Sequence, residues 1–266
     1  MIVNAARYSE ILAAFGVARK AAGRDLATNF FPDPVKGEYW FENEVWLETG
    51  PGGVLLVWRR DRDFWHLSFA GASSALEPAL ASSAFDTKSL RVTTDVVTRG
   101  EPGTDGVAAA LHARGFMRYK TLQRMSRDAA APDNSTADKR QSGIRPALVS
   151  EADEILSLLE DNFDALAEQI PHRSEIVDAI EKNRVMIVPA GEQIGALLFH
   201  EEGPGGSHLR YWLTRPECRG QGAGSLLLAN YLNAMLARKY FLWVIRDNAT
   251  AIRLYVAAGY SPESML

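Results

Sequence analysis

The stretch Arg219-Gly220-Gln221-Gly222-Ala223-Gly224 constrains this chain most, because of what flanks it on either side. Upstream, Ser207 to Thr214 is rich in aromatic and β-branched residues and is entered through Gly203-Pro-Gly-Gly206, which predicts a strand. Downstream, Ser225 to Lys239 repeats apolar residues at helical spacing (Leu228, Tyr231, Leu232, Met235, Leu236) and closes on cations that suit a helix C-terminus. The glycines therefore sit at a helix N-terminus. There the first-turn amides have no internal partner, and residues without a Cβ let an anion approach the backbone.

Two common anion sites do not fit. A nucleoside triphosphate loop needs Lys-Ser or Lys-Thr after its glycines, and neither follows here. A dinucleotide fingerprint needs GxGxxG on the first strand of a βαβ unit, whereas this spacing is GxGxG, late in the chain, with no glycine at the third position.

A second motif follows one helix and one strand later. Leu242, Val244, Asn248, Ala251, Ile252, Leu254, Tyr255, Gly259 and Tyr260 fill every fixed position of L-x-V-x-x-x-N-x-x-A-I-x-L-Y-x-x-x-G-[F/Y]. Together with Arg219 to Gly224 and the strand exit Thr214-Arg-Pro216, with Thr where Val is usual, this resembles the Gcn5-related N-acetyltransferase (GNAT) superfamily. The resemblance implies a splayed pair of central parallel strands near 207–214 and 240–245, with the pantetheine of acetyl-CoA in the gap. By the same resemblance, Trp212, Leu213 and Thr214 offer main-chain groups to the pantetheine. Gln221, Gly222, Ala223, Gly224 and Ser225, with Gly220, form the pyrophosphate loop. Arg219 belongs to that motif as a brace for the loop or a direct phosphate contact. Asn248 is a helix cap, a ligand of the cofactor arm, or both. Tyr255 matches the position whose phenol protonates the leaving thiolate, although periodicity alone reads it as a core aromatic.

Direct attack of an amine on a thioester calls for a neutral amine and an acid for the thiolate. His208 occupies the position of the glutamate base in histone-type members, and histidine as a residue type suits a proton acceptor near neutral pH, while a strand-edge histidine is the plain alternative. Glu201 and Glu202 are further candidates. Cys218, the sole cysteine, excludes an internal disulfide and reads as a small buried hydrophobe. His66, His112, His172 and His200 show no ligand spacing, so no metal is assigned.

The chain has 266 residues, enough for more than one unit of about 150 residues. Residues 128–142 lack large apolar side chains and read as a linker between a domain at 1–127 and one at 143–266. The second opens with a strand at Ile144 and a helix capped by Ser150. In the first, Glu44 to Thr49, Val54 to Arg59 and Phe64 to Phe69 read as strands. Val107 to Phe116 and the strand-like Met117 to Met125 echo Ala251 to Tyr260. This half has Ala-Gly-Ala-Ser-Ser-Ala-Leu in place of the glycine loop and Leu111 in place of Tyr255, so it reads as degenerate and non-catalytic. The expected fold is α/β (α+β): two GNAT-like units, each a mixed, mostly antiparallel sheet flanked by helices. After Tyr260 too little chain remains for the family's last two strands, so a strand from the N-terminal half or from a second subunit, as in a homodimer, must cover the sheet edge.

Composition adds limits. With 47% hydrophobic residues, a formal charge of -4 and no long apolar run, the chain reads as globular, with neither nucleic acid nor membrane as partner. Its start shows no basic-then-apolar leader, so a cytoplasmic location is expected. The expected function is transfer of the acetyl group of acetyl-CoA to a primary amine of unknown identity, with a non-catalytic acyl-CoA sensor or scaffold as the alternative.

Overall fold

The computed structural model describes residues 2–85, 89–98, 106–128, 143–203, 205–234 and 237–265; most of the expected linker, 129–142, and the helix positions Met235 and Leu236 lie outside them. The chain divides into two compact units, one up to Tyr119 and one from Lys120 to Ser264.

The first unit comprises β1 (Ile2–Asn4), α1 (Tyr8–Ala22), β2 (Leu26–Thr28), α2 (Pro34–Tyr39), β3 (Val45–Thr49), β4 (Leu55–Asp61), β5 (Phe64–Ala72), α3 (Ser73–Ala81), β6 (Val92–Thr93) and α4 (Gly106–Ala113). Its sheet runs β1-β3-β4-β5-β2, with β6 also on β5. Strands β3 to β5 fall where alternation and turn residues predict them, and each face carries a core. Ile11, Leu47, Leu55 and Val57 pack on one side, and Leu56, Trp58, Leu67, Leu76 and Leu111 on the other.

The second unit comprises β7 (Leu122–Asp128), β8 (Arg145–Pro146), α5 (Ala152–Asn162), α6 (Ala165–Glu168), α7 (Arg173–Glu181), β9 (Val185–Ala190), β10 (Gln193–Gly203), β11 (Gly206–Thr214), α8 (Ala223–Ala234), β12 (Lys239–Ile245), α9 (Ala249–Ala257) and β13 (Ser261–Pro262). Its sheet order is β13-β7-β12-β11-β10-β9-β8. One face packs on α5 and α7 through Ile155, Leu159, Ile176, Leu197 and Tyr211. The other packs on α8 and α9 through Leu198, Leu209, Leu228, Tyr231, Leu242 and Tyr255.

Three local expectations change. The strand expected in the first half at Met117 to Met125 runs instead from Leu122 to Asp128 and belongs to the second sheet, where it pairs along all of β12 from Lys239 to Ile245, so the division expected at 127 moves upstream of β7. The strand that covers the outer edge of β12 thus comes from upstream in the same chain, and β13 adds two register pairs beyond it. Lys239 opens β12 instead of closing α8. Ser150 does not cap α5; the Glu151 carboxylate instead turns back to accept from the Leu148 N–H at 2.7 Å while paired with Arg145. A 3-10 turn from Val149 to Glu151 precedes α5, so Ser150 lies inside that turn and not at the helix boundary.

His200 on β10 is buried against Tyr231, and its Nδ1 has no partner among the described residues. Burial, with the nearby Arg184 charge adding to it, pushes the ring down to about 4. The unfolded ring protonates near 6.5, so between those values the unfolded state binds more protons and stability rises with pH. We expect this group to remove about 2 kcal/mol of stability between pH 7.5 and pH 5. Denaturant unfolding at the two values, with His200→Leu showing a flatter dependence, checks it.

Candidate functional site

The site is created by a break in strand pairing. β11 and β12 are parallel neighbours only at Ser207↔Tyr240 and His208↔Phe241. β11 then continues to Thr214 with no further partner on β12. The cause lies on the opposite edge, where β10 pairs Phe199 with Tyr211 and His200 with Leu209, skipping Arg210. That extra residue is a bulge, which bends the strand that carries it. The bend starts two residues after the last β11–β12 pair, so the strands fork, and the edge of β11 from Leu209 to Thr214 is open to the gap.

The bulged Arg210 is held from several sides. Its guanidinium, 8% exposed, is ion-paired with Glu175 of α7 and with Glu201 of β10 (2.7 Å), and donates to the Gln169 carbonyl at 2.9 Å. Beside it the Tyr211 hydroxyl donates to the carbonyls of Glu168 (3.0 Å) and Gln169 (2.9 Å). Thus the bulge and the end of α6 are fixed to each other.

The glycine loop stands at the open end of the fork. Gly220 and Gly222 have φ of +77° and +84°, a region that penalises a Cβ, and open space surrounds both. Among the described residues, none accepts a hydrogen bond from the amides of Gly220 to Ser225; the first helical bond runs from Leu226 N–H to the Gly222 carbonyl. Arg219 Nε donates to the Thr214 carbonyl (3.2 Å) and Gln221 Nε2 to the Glu217 carbonyl (3.3 Å), so both side chains brace the loop from below. The same bond occupies the Thr214 carbonyl; Trp212 and Leu213 lie on the open edge ahead of it. Gly224 is required by packing: a Cβ there would stand 2.6 Å from Thr214 Oγ1, and Trp212 Nε1 donates to the Gly224 carbonyl at 2.9 Å.

Tyr255 enters from the α9 side. It lies 5.6 Å from the Trp212 ring and 5.9 Å from that of Tyr260, and its hydroxyl makes no hydrogen bond to a described residue. Burial and, second, the Glu168 carboxylate push the phenol up, so it stays protonated at neutral pH. Asn248 caps α9, its Oδ1 accepting from Ala251 N–H at 3.0 Å. His208 lies on the opposite face at the closed root of the fork, stacked on Phe241 at 4.7 Å with Nδ1 3.8 Å from Glu201.

Residues 152–260 match the model of the Acetyltransferase (GNAT) family. The second unit is a GNAT-family domain. No curated protein matches the sequence. Among solved structures, a tandem GNAT protein from the clavulanic acid biosynthesis pathway shares 16% identity at TM-score 0.60, over 99% of this chain and 95% of its own. A GCN5-related N-acetyltransferase from Sphaerobacter thermophilus shares 14% at 0.56, over 99% and 93%. A GNAT-family acetyltransferase described as putative, from Novosphingobium aromaticivorans, shares 19% at 0.50, over 79% and 84%. At these identities the likeness is one of fold, and it extends through both units to a tandem arrangement.

In the first unit the corresponding fork is filled. β5 pairs in parallel with β6 only at Trp65 and His66, as β11 does with β12, but β2 then pairs antiparallel with β5 from Ala70 to Ala72. Between them Asn29 spans the gap, its Oδ1 accepting from Phe69 N–H (2.7 Å) and its Nδ2 donating to the Leu67 carbonyl (3.1 Å). Thr94 donates to the same carbonyl. β5 also passes into α3 without an intervening loop, which accounts for the missing glycine motif.

One residue that shapes the GNAT domain's site carries no mark in the sequence: Arg210 sits in a stretch whose alternation gives no sign of a bulge. We expect Gly224→Ala to cost about 2 kcal/mol by overpacking against Thr214, read as a lower denaturation midpoint together with weaker acetyl-CoA binding.

Proposed function

We propose that the GNAT domain transfers the acetyl group of acetyl-CoA to a primary amine by direct attack. The observation that carries this reading is the fork, in which an unpaired strand edge leads to a helix N-terminus whose amides have no partners. Pantetheine carries amide groups that can pair with the Trp212–Leu213 edge as an added strand would. A diphosphate suits the amides of Gly220 to Ser225, where the helix dipole adds to the hydrogen bonds. Asn248 stands at the neighbouring helix end, where its cap role is compatible with a contact to the cofactor arm.

In the proposed reaction a neutral amine attacks the thioester carbonyl, the carbon–sulfur bond breaks, Tyr255 gives its proton to the departing sulfur, and the nitrogen sheds a proton to solvent, from which Tyr255 is reprotonated. A phenol that stays protonated and has no competing acceptor suits that role. The amine must first lose a proton, and His208 at the root of the fork is a group that can take it. The first unit, with its strand edge already satisfied, has no equivalent slot, so the chain is assigned a single acetyl-CoA site.

Calorimetric titration with acetyl-CoA, followed on the same sample by thiol release with a panel of tyramine, spermidine and lysine amide, tests the reading. One site per chain and amine-dependent thiol release are expected; intact acetyl-CoA with every amine would favour a sensor. Tyr255→Phe should lower kcat on the order of 10²-fold while leaving acetyl-CoA affinity nearly unchanged.

A further inference from the structure

The acid of the proposed reaction is placed by rings and not by hydrogen bonds. The Tyr255 backbone is fixed by α9, through the Asn248 cap at its start and the bond from Tyr260 N–H to the Tyr255 carbonyl near its end. The side chain beyond it has no hydrogen bond to a described residue; it packs between the Trp212 ring at 5.6 Å and the Tyr260 ring at 5.9 Å. Tyr260 follows α9 directly in the chain, so Trp212 is the ring contact that ties the phenol to β11.

Trp212 is itself anchored at its far end. Its backbone lies on the open edge of β11, while its indole is turned to the α8–α9 face and partly buried against the core that holds Tyr255. Nε1 donates to the Gly224 carbonyl at 2.9 Å, in the first turn of α8. The fit is close, since a Cβ on Gly224 would stand 3.4 Å from Nε1 and 3.5 Å from Cζ2. One indole therefore touches both the glycine loop and the phenol. Its N–H bond is directional and sets the plane of the ring against which the phenol packs.

We propose that Trp212 is a positioning residue for the acetyl transfer: its indole, locked to the glycine loop through Gly224, sets the place of the Tyr255 phenol relative to the thioester. The proposal rests on the acetyltransferase reading above. In that reading the loop fixes the cofactor at its diphosphate, and the phenol has to meet the sulfur at the other end of the pantetheine. Holding both against one rigid ring keeps that span constant, and a shift of about 1 Å at a reacting group can cost on the order of 10²-fold in rate. Trp212 exchanges no proton in this scheme; it acts through Tyr255.

The competing role is that of an ordinary core ring, whose loss would weaken the fold or the loop without reference to the acid. Trp212→Phe separates the two, because it keeps an aromatic ring and the main-chain groups of the strand edge but removes the N–H. At saturating acetyl-CoA, with the best amine of the panel, kcat should fall about 10-fold, while acetyl-CoA affinity by calorimetry changes less than about twofold. In a Tyr255→Phe background the same substitution should change kcat by no more than about twofold, since the group through which it acts is already gone. Gly224→Ala, which displaces the carbonyl from the other side, should show the same dependence on Tyr255 in kcat, besides its weaker binding.

A fall in kcat of equal size with and without the Tyr255 hydroxyl would overturn the role of Trp212 and leave the acetyltransferase reading intact. So would weaker acetyl-CoA binding with an unchanged kcat, which would make the indole a support of the loop alone. If Trp212→Phe does not fold, Gly224→Ala in the same two backgrounds decides. Absence of amine-dependent thiol release in the wild type would overturn both the proposal and the reading beneath it.

Discussion

A strand that misses one residue in its pairing register sets the geometry of this domain. Arg210 lies opposite no residue of β10, and the bend it imposes ends the β11–β12 ladder after His208. An open ladder inside a sheet is costly, because buried amides and carbonyls without partners lose more than a typical hydrogen bond contributes. Arg210 offsets this by binding the bent strand to α7, β10 and the end of α6 together. Buried ion pairs gain little net stability over apolar packing, yet removing one partner from such a set costs about 3–5 kcal/mol. The network therefore fixes one shape more than it adds stability. That shape sets the fork and the loop that stands at its open end.

The first unit shows the alternative solution to the same problem. Its parallel pair also parts after two residues, but β2, Asn29 and Thr94 take up the exposed strand edge. An edge satisfied by its own chain is lower in free energy than one left for a ligand, and it has no use for a glycine loop. The loss of the loop and the filling of the fork are thus one change seen at two places. Leu111, where the second unit has Tyr255, is buried in the apolar core there.

What the sequence disclosed follows from the range of the forces involved. The glycine loop, the cap at Asn248 and the strands with clean alternation depend on residues near one another in the chain, and they were readable. The fork was expected only through family resemblance, because a bulge is a relation between two strands and neither strand's pattern carries it: Leu209 and Tyr211 keep the same parity although they serve cores on opposite faces. Ser150 does not cap α5 because a 3-10 turn from Val149 to Glu151 comes first, closed by Glu151 on the Leu148 N–H and by Arg145, six residues upstream.

The position of β7 ties these observations to chain order. Without it, β12 would present its outer edge from Lys239 to Ile245 unpaired, next to an inner edge already open at the fork. A strand open on both sides over most of its length has little to hold it straight, and α9, which follows it and carries Tyr255, would lose its reference. β7 closes the outer edge completely, and Arg127 Nη1 donates to the Ala258 carbonyl at 2.6 Å, holding the end of α9 directly. The domain can leave one edge of β12 free for a ligand because the other is secured by a strand that precedes the rest of its sheet in sequence. The residues that match the family model, 152–260, therefore do not by themselves contain the whole support of the site.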